Sequence, residues 1–242
     1  MKSQKCITSN IDKDIECQNI SANGYLLNLS IPQLLKTFDN QSKSEAEVYS
    51  YVLTTVKTKE KKFCQTGCGP NFEGGVITLC TCKHYMRAYK DPKGWEGVWI
   101  SGLINYEGKT FLLYLMKIKC AVNNMYDLCE SLPEKTRNIK SANNSIFGDV
   151  YTPKKILNTD KDKFKIENYN PPIEGHKHFD NYQDDILYFY KSLNRYPSLL
   201  VGDPKNSFVW TRPIIEITHP KKKKFGRGCK NWKLEEYTKY LK

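Results

Sequence analysis

Apolar residues fall along the chain in short β-branched and aromatic runs, separated by stretches rich in Gly, Asn, Lys and Pro. Val48 to Val56 is β-branched and aromatic, which predicts a strand. A Gly/Cys/Pro loop from Gln65 to Gly75 follows, and Val76 to Cys82 predicts a second strand. Val98 to Ile104 and Thr110 to Val122 predict a third and a long fourth, joined by a turn around Gly108 into a hairpin. Leu199 to Gly202 and Ser207 to Thr211 predict two further short strands. Helices are expected at Met125 to Leu132, ended by Pro133, at Asp184 to Leu193, and at Asn231 to Leu241. Residues 133–180 are mostly polar and form a long irregular excursion, a kind of segment that often carries function. Strands come first, helices are inserted later, and no repeat is seen. The fold class is therefore α+β: a small curled sheet or barrel flanked by helices.

Residues 1–45 read as a polar N-terminal arm, and residues 46–242 as the domain. The arm has one apolar patch, Tyr25-Leu26-Leu27-Asn28-Leu29, and Pro32 sits at a helix start before Gln33 to Phe38. The patch is expected to dock on the domain or on a partner protein.

Composition adds limits. At 242 residues, 39% hydrophobic and 12% aromatic, the chain can bury a core. No stretch approaches the roughly 20 apolar residues of a membrane span, and the N-terminus lacks an apolar signal core. Nine Cys without an export signal predict free thiols and an intracellular protein, cytoplasmic or nuclear. The charge of +12 is concentrated. Residues 57–93 hold eight Lys or Arg against three acids, and residues 219–242 hold nine against two. Two concentrated basic segments favour a polyanion partner over general solubility. The 16 Tyr suit stacking on bases as well as a half-buried sheet face.

The densest chemistry lies in Gly67-Cys68-Gly69-Pro70-Asn71-Phe72-Glu73-Gly74-Gly75 and the following Val76 to Arg87. Glycines let a backbone approach a ligand and turn its N–H groups outward, and Lys83 and Arg87 are placed to neutralise phosphate. An ordinary tight turn before a strand has the same spacing. The loop lacks Walker spacing, so no NTPase is implied.

The block resembles the nucleotide-modification-associated domain 2 family. The resemblance is carried by Tyr49-Ser50-Tyr51-Val52, Pro70-Asn71, Gly75, Thr78-Leu79, Thr81-Cys82-Lys83 and Arg87. Gly97-Val98-Trp99-Ile100-Ser101-Gly102 is similar to a Gly-Asp-Trp-Ile-x-Gly strand, with Val98 replacing the acid. Leu113 to Ile118, Phe147-Gly148-Asp149-Val150-Tyr151 and Gly226-Arg227-Gly228 extend it over about residues 47–232. The resemblance implies a role near modified DNA bases, in base-modification or anti-phage systems, without a settled reaction. The strand order is similar, by analogy of fold alone, to the PUA- and EVE-like barrels that read modified bases.

The remaining candidates are chemical. Cys64, Cys68, Cys80 and Cys82 are spaced so that four thiolates can hold a structural zinc, or stand as scattered free thiols; no cofactor is predicted, with zinc as the alternative. Cys82, beside Lys83, His84 and Arg87, is a candidate nucleophile. Its base would be His176 or His178, oriented by Asp149, Asp180 or Asp184. A buried, inert Cys82 is the plainer alternative. His176-x-His178 favours a ligand-contact role over a metal centre. Lys221, Lys222, Lys223 and Lys224, with Phe225 and Arg227, offer phosphate contacts, a solvated loop or a nuclear-import signal. Trp99 and Trp210 are expected in the core and Trp95 on an exposed loop.

These features predict a DNA-, RNA- or nucleotide-binding protein that grips phosphates with Lys83, Arg87 and the 221–227 cluster. A base would be enclosed near Asn71, Gly75 and Trp95. An enzyme acting on a base or nucleotide through Cys82 or His176/His178, and an assembly subunit docking through the arm, are the alternatives.

Overall fold

The computed structural model describes residues 18–20, 24–38, 43–221, 225–226 and 228–242. The strands are β1 (Gln18–Asn19), β2 (Leu26–Leu27), β3 (Glu47–Val52), β4 (Val56–Lys59), β5 (Lys62–Gln65), β6 (Thr78–Leu79), β7 (Trp99–Tyr106), β8 (Lys109–Val122), β9 (Leu199–Val209) and β10 (Cys229–Lys233). The helices are short: α1 (Ile31–Lys36), α2 (His84–Arg87), α3 (Pro92–Trp95), α4 (Met125–Ser131), α5 (Glu134–Lys140), α6 (Asp160–Lys163), α7 (Tyr182–Leu187) and α8 (Leu234–Thr238).

The main sheet runs β10-β3-β7-β8-β9-β2, with β6 also on β9, and a small sheet runs β1-β5-β4. β3 pairs with β7, and β2 with β9, in parallel; the other main-sheet pairs are antiparallel. This is the expected α+β class. Among the described strands the path has two ends and is not a closed barrel.

The expected β7–β8 hairpin is present. Glu107 and Gly108 both have positive φ, as the tight turn between twisted strands requires. Trp99 to Ile104 are all buried, so β7 is covered on both faces. Register shifts along the 14-residue β8 mark bulges, which bend a strand and increase its twist.

Other elements differ from the sequence expectation. Val76 to Cys82 yields only the two residues of β6. The two short strands after residue 198 are one strand, β9. The helix expected at Asp184 to Leu193 is displaced: α7 starts at Tyr182 and ends at Leu187. The expected closing helix begins as β10, where Trp232 is buried and Lys233 is exposed; α8 starts only at Leu234. The β4–β5 hairpin has no Gly at its turn; Glu60 and Lys61 take the positive φ instead.

The apolar patch of the arm docks on the domain. Leu26 and Leu27 pair with Phe208 and Val209, and Trp210 Nε1 donates to the Leu29 carbonyl at 2.8 Å. Leu34 and Phe38 are fully buried, with Phe38 edge-on to Trp99 at 5.2 Å. One apolar cluster gathers these residues with β3, β7, β8 and β9. A second lies around α4, Val150, Tyr151 and Tyr169.

Cys68, Cys80, Cys82, Cys120, Cys129 and Cys229 are free thiols, as expected, but Cys64 is disulfide-bonded. No described helix is long and apolar enough to cross a membrane.

Candidate nucleic-acid interface

The loop before β6 is built from the inside. Gly74 and Gly75 have φ of +69° and +72°, a region that favours glycine. A Cβ at Gly24 would stand 3.0 Å from the Gly75 Cα, so the chain crosses here at close range. Asn71 and Thr78 exchange backbone hydrogen bonds at 3.0 and 3.1 Å and pinch the loop. The Asn71 side chain is fully buried. Its Oδ1 accepts from Lys140 Nζ at 2.7 Å, and its Nδ2 donates to the Phe147 carbonyl at 3.0 Å. Lys140 Nζ also donates to the Asn71 carbonyl. The Thr78 hydroxyl donates to Asp149 Oδ2 at 2.6 Å. Burial lowers the Lys140 ammonium to about 8, against the pull of the Asp149 carboxylate. Burial raises the Asp149 carboxyl, against Lys140 and the hydrogen bonds from Thr78 and Cys80. Asn71, Gly75 and Asp149 therefore hold the loop together. The Asn71 amide and Asp149 Oδ2 are engaged inside the protein, away from any base pocket and from both histidine side chains' hydrogen bonds, while Asp149 Oδ1 is buried without an N–H or O–H partner.

Arg87 is also interior. Its guanidinium donates to the Cys82 carbonyl at 2.7 Å, the Ser198 carbonyl at 2.7 Å and the Pro197 carbonyl at 3.3 Å. It ties α2 to the start of β9 instead of gripping phosphate. Trp95 is fully buried, with its Nε1 donating to the Arg87 carbonyl at 3.0 Å, so it is not an exposed aromatic. Trp99 and Trp210 are buried as expected. Lys83 caps α2 in the left-handed conformation, and its ammonium lies 4.8 Å from the Tyr51 ring centre.

The surroundings of Cys82 favour the neutral thiol. Burial raises the Cys82 thiol above its usual value, outweighing Arg87 and Lys83, and Sγ faces the Gly69 carbonyl at 3.7 Å. The four-cysteine set is not available as a whole, because Cys64 is disulfide-bonded. Cys68 lies against His176 at 3.6 Å. Among the described residues no three His, Cys, Asp or Glu side chains converge on a metal position.

The two histidines diverge. His176 is buried; its Nδ1 accepts from the His178 backbone N–H at 3.1 Å, and its Nε2 meets the Gly148 carbonyl at 2.9 Å. One nitrogen accepting and the other donating makes a neutral ring, which neither ionises Cys68 nor reaches a ligand. His178 is partly exposed. Its Nδ1 donates to Asp185 Oδ2 at 2.7 Å, and the Tyr151 hydroxyl donates to the same oxygen at 2.8 Å. This hydrogen bond raises the His178 pKa. The orienter is Asp185, not Asp149, Asp180 or Asp184.

Around these interior groups lies an aromatic surface. Tyr85 is 53% exposed and Tyr89 40%, one helical turn apart on and just after α2, with ring centres 4.7 Å apart. Tyr190 lies 5.2 Å from Tyr85, and Tyr188 lies 6.4 Å from Tyr190. The His84 ring stacks on Tyr188 at 4.0 Å and 11°. Tyr49 continues the row to Tyr89, and Lys90 lies over Tyr49 while pairing with Glu47. The sequence carries the signal for this face in Tyr85-x3-Tyr89 and Tyr188-x-Tyr190, beyond the bare count of tyrosines.

Of the closing basic run, Lys221 is exposed, and Lys222, Lys223, Lys224 and Arg227 lie outside the described residues. Compared with family models, curated proteins and solved structures, the chain shows no match.

Proposed function

We propose that this protein binds DNA or RNA through the tyrosine face around α2. The observation that carries the proposal is the continuous row from Tyr89 through Tyr85 and Tyr190 to Tyr188, with Tyr85, Tyr89 and Tyr188 exposed, His84 stacked behind Tyr188, and Lys90 at the Tyr49 end. Stacking on exposed aromatics is tolerant of sequence, and flanking Lys contacts phosphate without reading it. The resemblance to the nucleotide-modification-associated domain 2 family supports a setting in base modification or anti-phage defence. The free thiols suit an intracellular setting, with Cys64 as the exception.

Fluorescence anisotropy with labelled single-stranded DNA and RNA tests this. The wild type should bind both, and Tyr85→Ala should weaken binding by roughly fivefold or more. Absence of binding, or a Tyr85→Ala variant with full affinity, overturns the proposal.

His178 favours a second reading, an enzyme acting on a base or nucleotide. Its carboxylate-oriented, partly exposed imidazole has the arrangement of a general base. Turnover of nucleotides or modified DNA that is lost in His178→Ala would support it; a wild type without turnover would end it.

A further inference from the structure

Residues 188–190 separate two aromatic surfaces. Tyr188 and Tyr190 belong to the tyrosine face, and Phe189 between them turns the other way, as alternate side chains do on an extended segment. Phe189 is 40% exposed, and its ring meets Tyr196 at 5.0 Å and 71°. Tyr196 in turn stacks on Phe164 at 4.0 Å and 22°. These three rings wall a cleft of about 800 Å³, within the size range of small-molecule sites.

The rest of the lining is polar and leans acidic. Asp91, Asp127, Asp160 and Asn123 contribute, with Arg195 as the cation. Asp127 and Asp160 are both engaged by Lys163, at 2.9 and 3.5 Å, and Asp91 uses Oδ1 to cap α3. The second Asp91 oxygen and the exposed amide of Asn123 remain to meet a ligand. An exposed aromatic ring suits stacking by a planar ring, and oxygen acceptors in the same cleft suit N–H donors. The acids oppose a phosphate in the same space.

We propose that this cleft takes a single nucleobase carrying an exocyclic amine, with its ring on Phe189 and its amine toward Asp91 and Asn123. The proposal rests on the nucleic-acid reading. The tyrosine face would hold a strand without regard to sequence, and the cleft on the far side of residues 188–190 would receive one base drawn out of it.

Free nucleosides probe the cleft without phosphate. The full chain is titrated with adenosine, cytidine, thymidine and uridine, followed by NMR chemical shifts. Adenosine and cytidine should bind at least fivefold tighter than thymidine and uridine. Phe189→Ala should weaken adenosine by roughly tenfold, the expected size of one lost stack. Asn123→Ala, at an exposed position where folding is not at risk, should weaken adenosine and narrow the gap to uridine. No nucleoside binding, equal binding of uridine, or an unaffected Phe189→Ala variant overturns the proposal. Oligonucleotide anisotropy run in parallel separates the two readings. A strand that binds where nucleosides do not removes the cleft and spares the tyrosine face. Nucleosides that bind where no strand does keep the cleft and remove the strand.

Discussion

Lys140 shows how a basic residue in a strongly basic chain can be wholly structural. Its ammonium supplies both the Asn71 carbonyl and Asn71 Oδ1, and it is the cation nearest in effect to the buried Asp149. Lys140→Met would leave two acceptors and a carboxylate without compensation in the interior. We expect a loss of about 3 kcal/mol in urea unfolding, as for other broken buried charge networks. A loss under about 1 kcal/mol would mean that the network is not held by this cation. His84 has the opposite need. Burial, then Arg87 and His178, lower its pKa to about 3. A depressed histidine binds fewer protons when folded. Its contribution is full above the unfolded pKa near 6.5 and is lost as pH falls below it toward the folded value. Thermal stability should therefore drop between pH 7.5 and pH 5, and His84→Phe, which keeps a ring for Tyr188, should drop less. Equal slopes for both proteins would show that His84 is not a source of the acid sensitivity. His178, raised by Asp185, acts in the other sense: its contribution is present at low pH and lost as pH rises through its folded pKa. The His84 variant, not the wild-type slope alone, isolates the effect.

At the scale of elements, what was legible followed from periodicity. The β7–β8 hairpin and α4 were readable because β-branched runs, Gly108 and Pro133 all agree with the final structure. β10 was not, because Asn231 to Leu241 is charged and carries Trp232 at a position equally suited to a helix or strand. Only pairing with β3, which places Trp232 beside Ser50 at 2.7 Å, decides it. The site was legible in part. The loop from Gly67 to Gly75 is as specialised as its glycines suggest, but its specialisation is internal. Glycine, Asn and buried Lys serve a tight crossing as readily as they serve a ligand. Nothing in the sequence separates Asp185 from Asp184; the register of α7 does, turning one carboxylate to His178 and the other to solvent. The tyrosine face needed α2 and residues 188–190 to meet, a contact between segments a hundred residues apart.

At the scale of the whole molecule, the two basic segments come together on β3. Lys83, from the first, lies over the Tyr51 ring, and Cys229, opening β10 in the second, is paired directly with Tyr51. The next residue, Lys230, pairs with Ser50 and lies over the Trp232 ring at 3.4 Å. Ser50 and Tyr51 are neighbours on β3 and face opposite sides of the sheet, so Lys83 stands on the face of Tyr49 and Tyr51, and Lys230 on the face of Ser50 and Trp232. If the face of Tyr49 and Tyr51 receives phosphates, each contact adds about one unit to the log–log dependence of affinity on salt. Lys83→Gln should flatten that dependence by about one unit, and Lys230→Gln, on the opposite face, should leave it near the wild-type value. Lys109→Gln makes a control, since Lys109 pairs with Glu216 at the turn end of the β7–β8 hairpin. Its slope should match the wild type. Should all three variants flatten the slope alike, the positive charge acts as a diffuse field around the protein, and the Tyr49 face has no special part in binding. A slope changed by Lys83 alone places the phosphates on the face that Tyr49 shares with Tyr89.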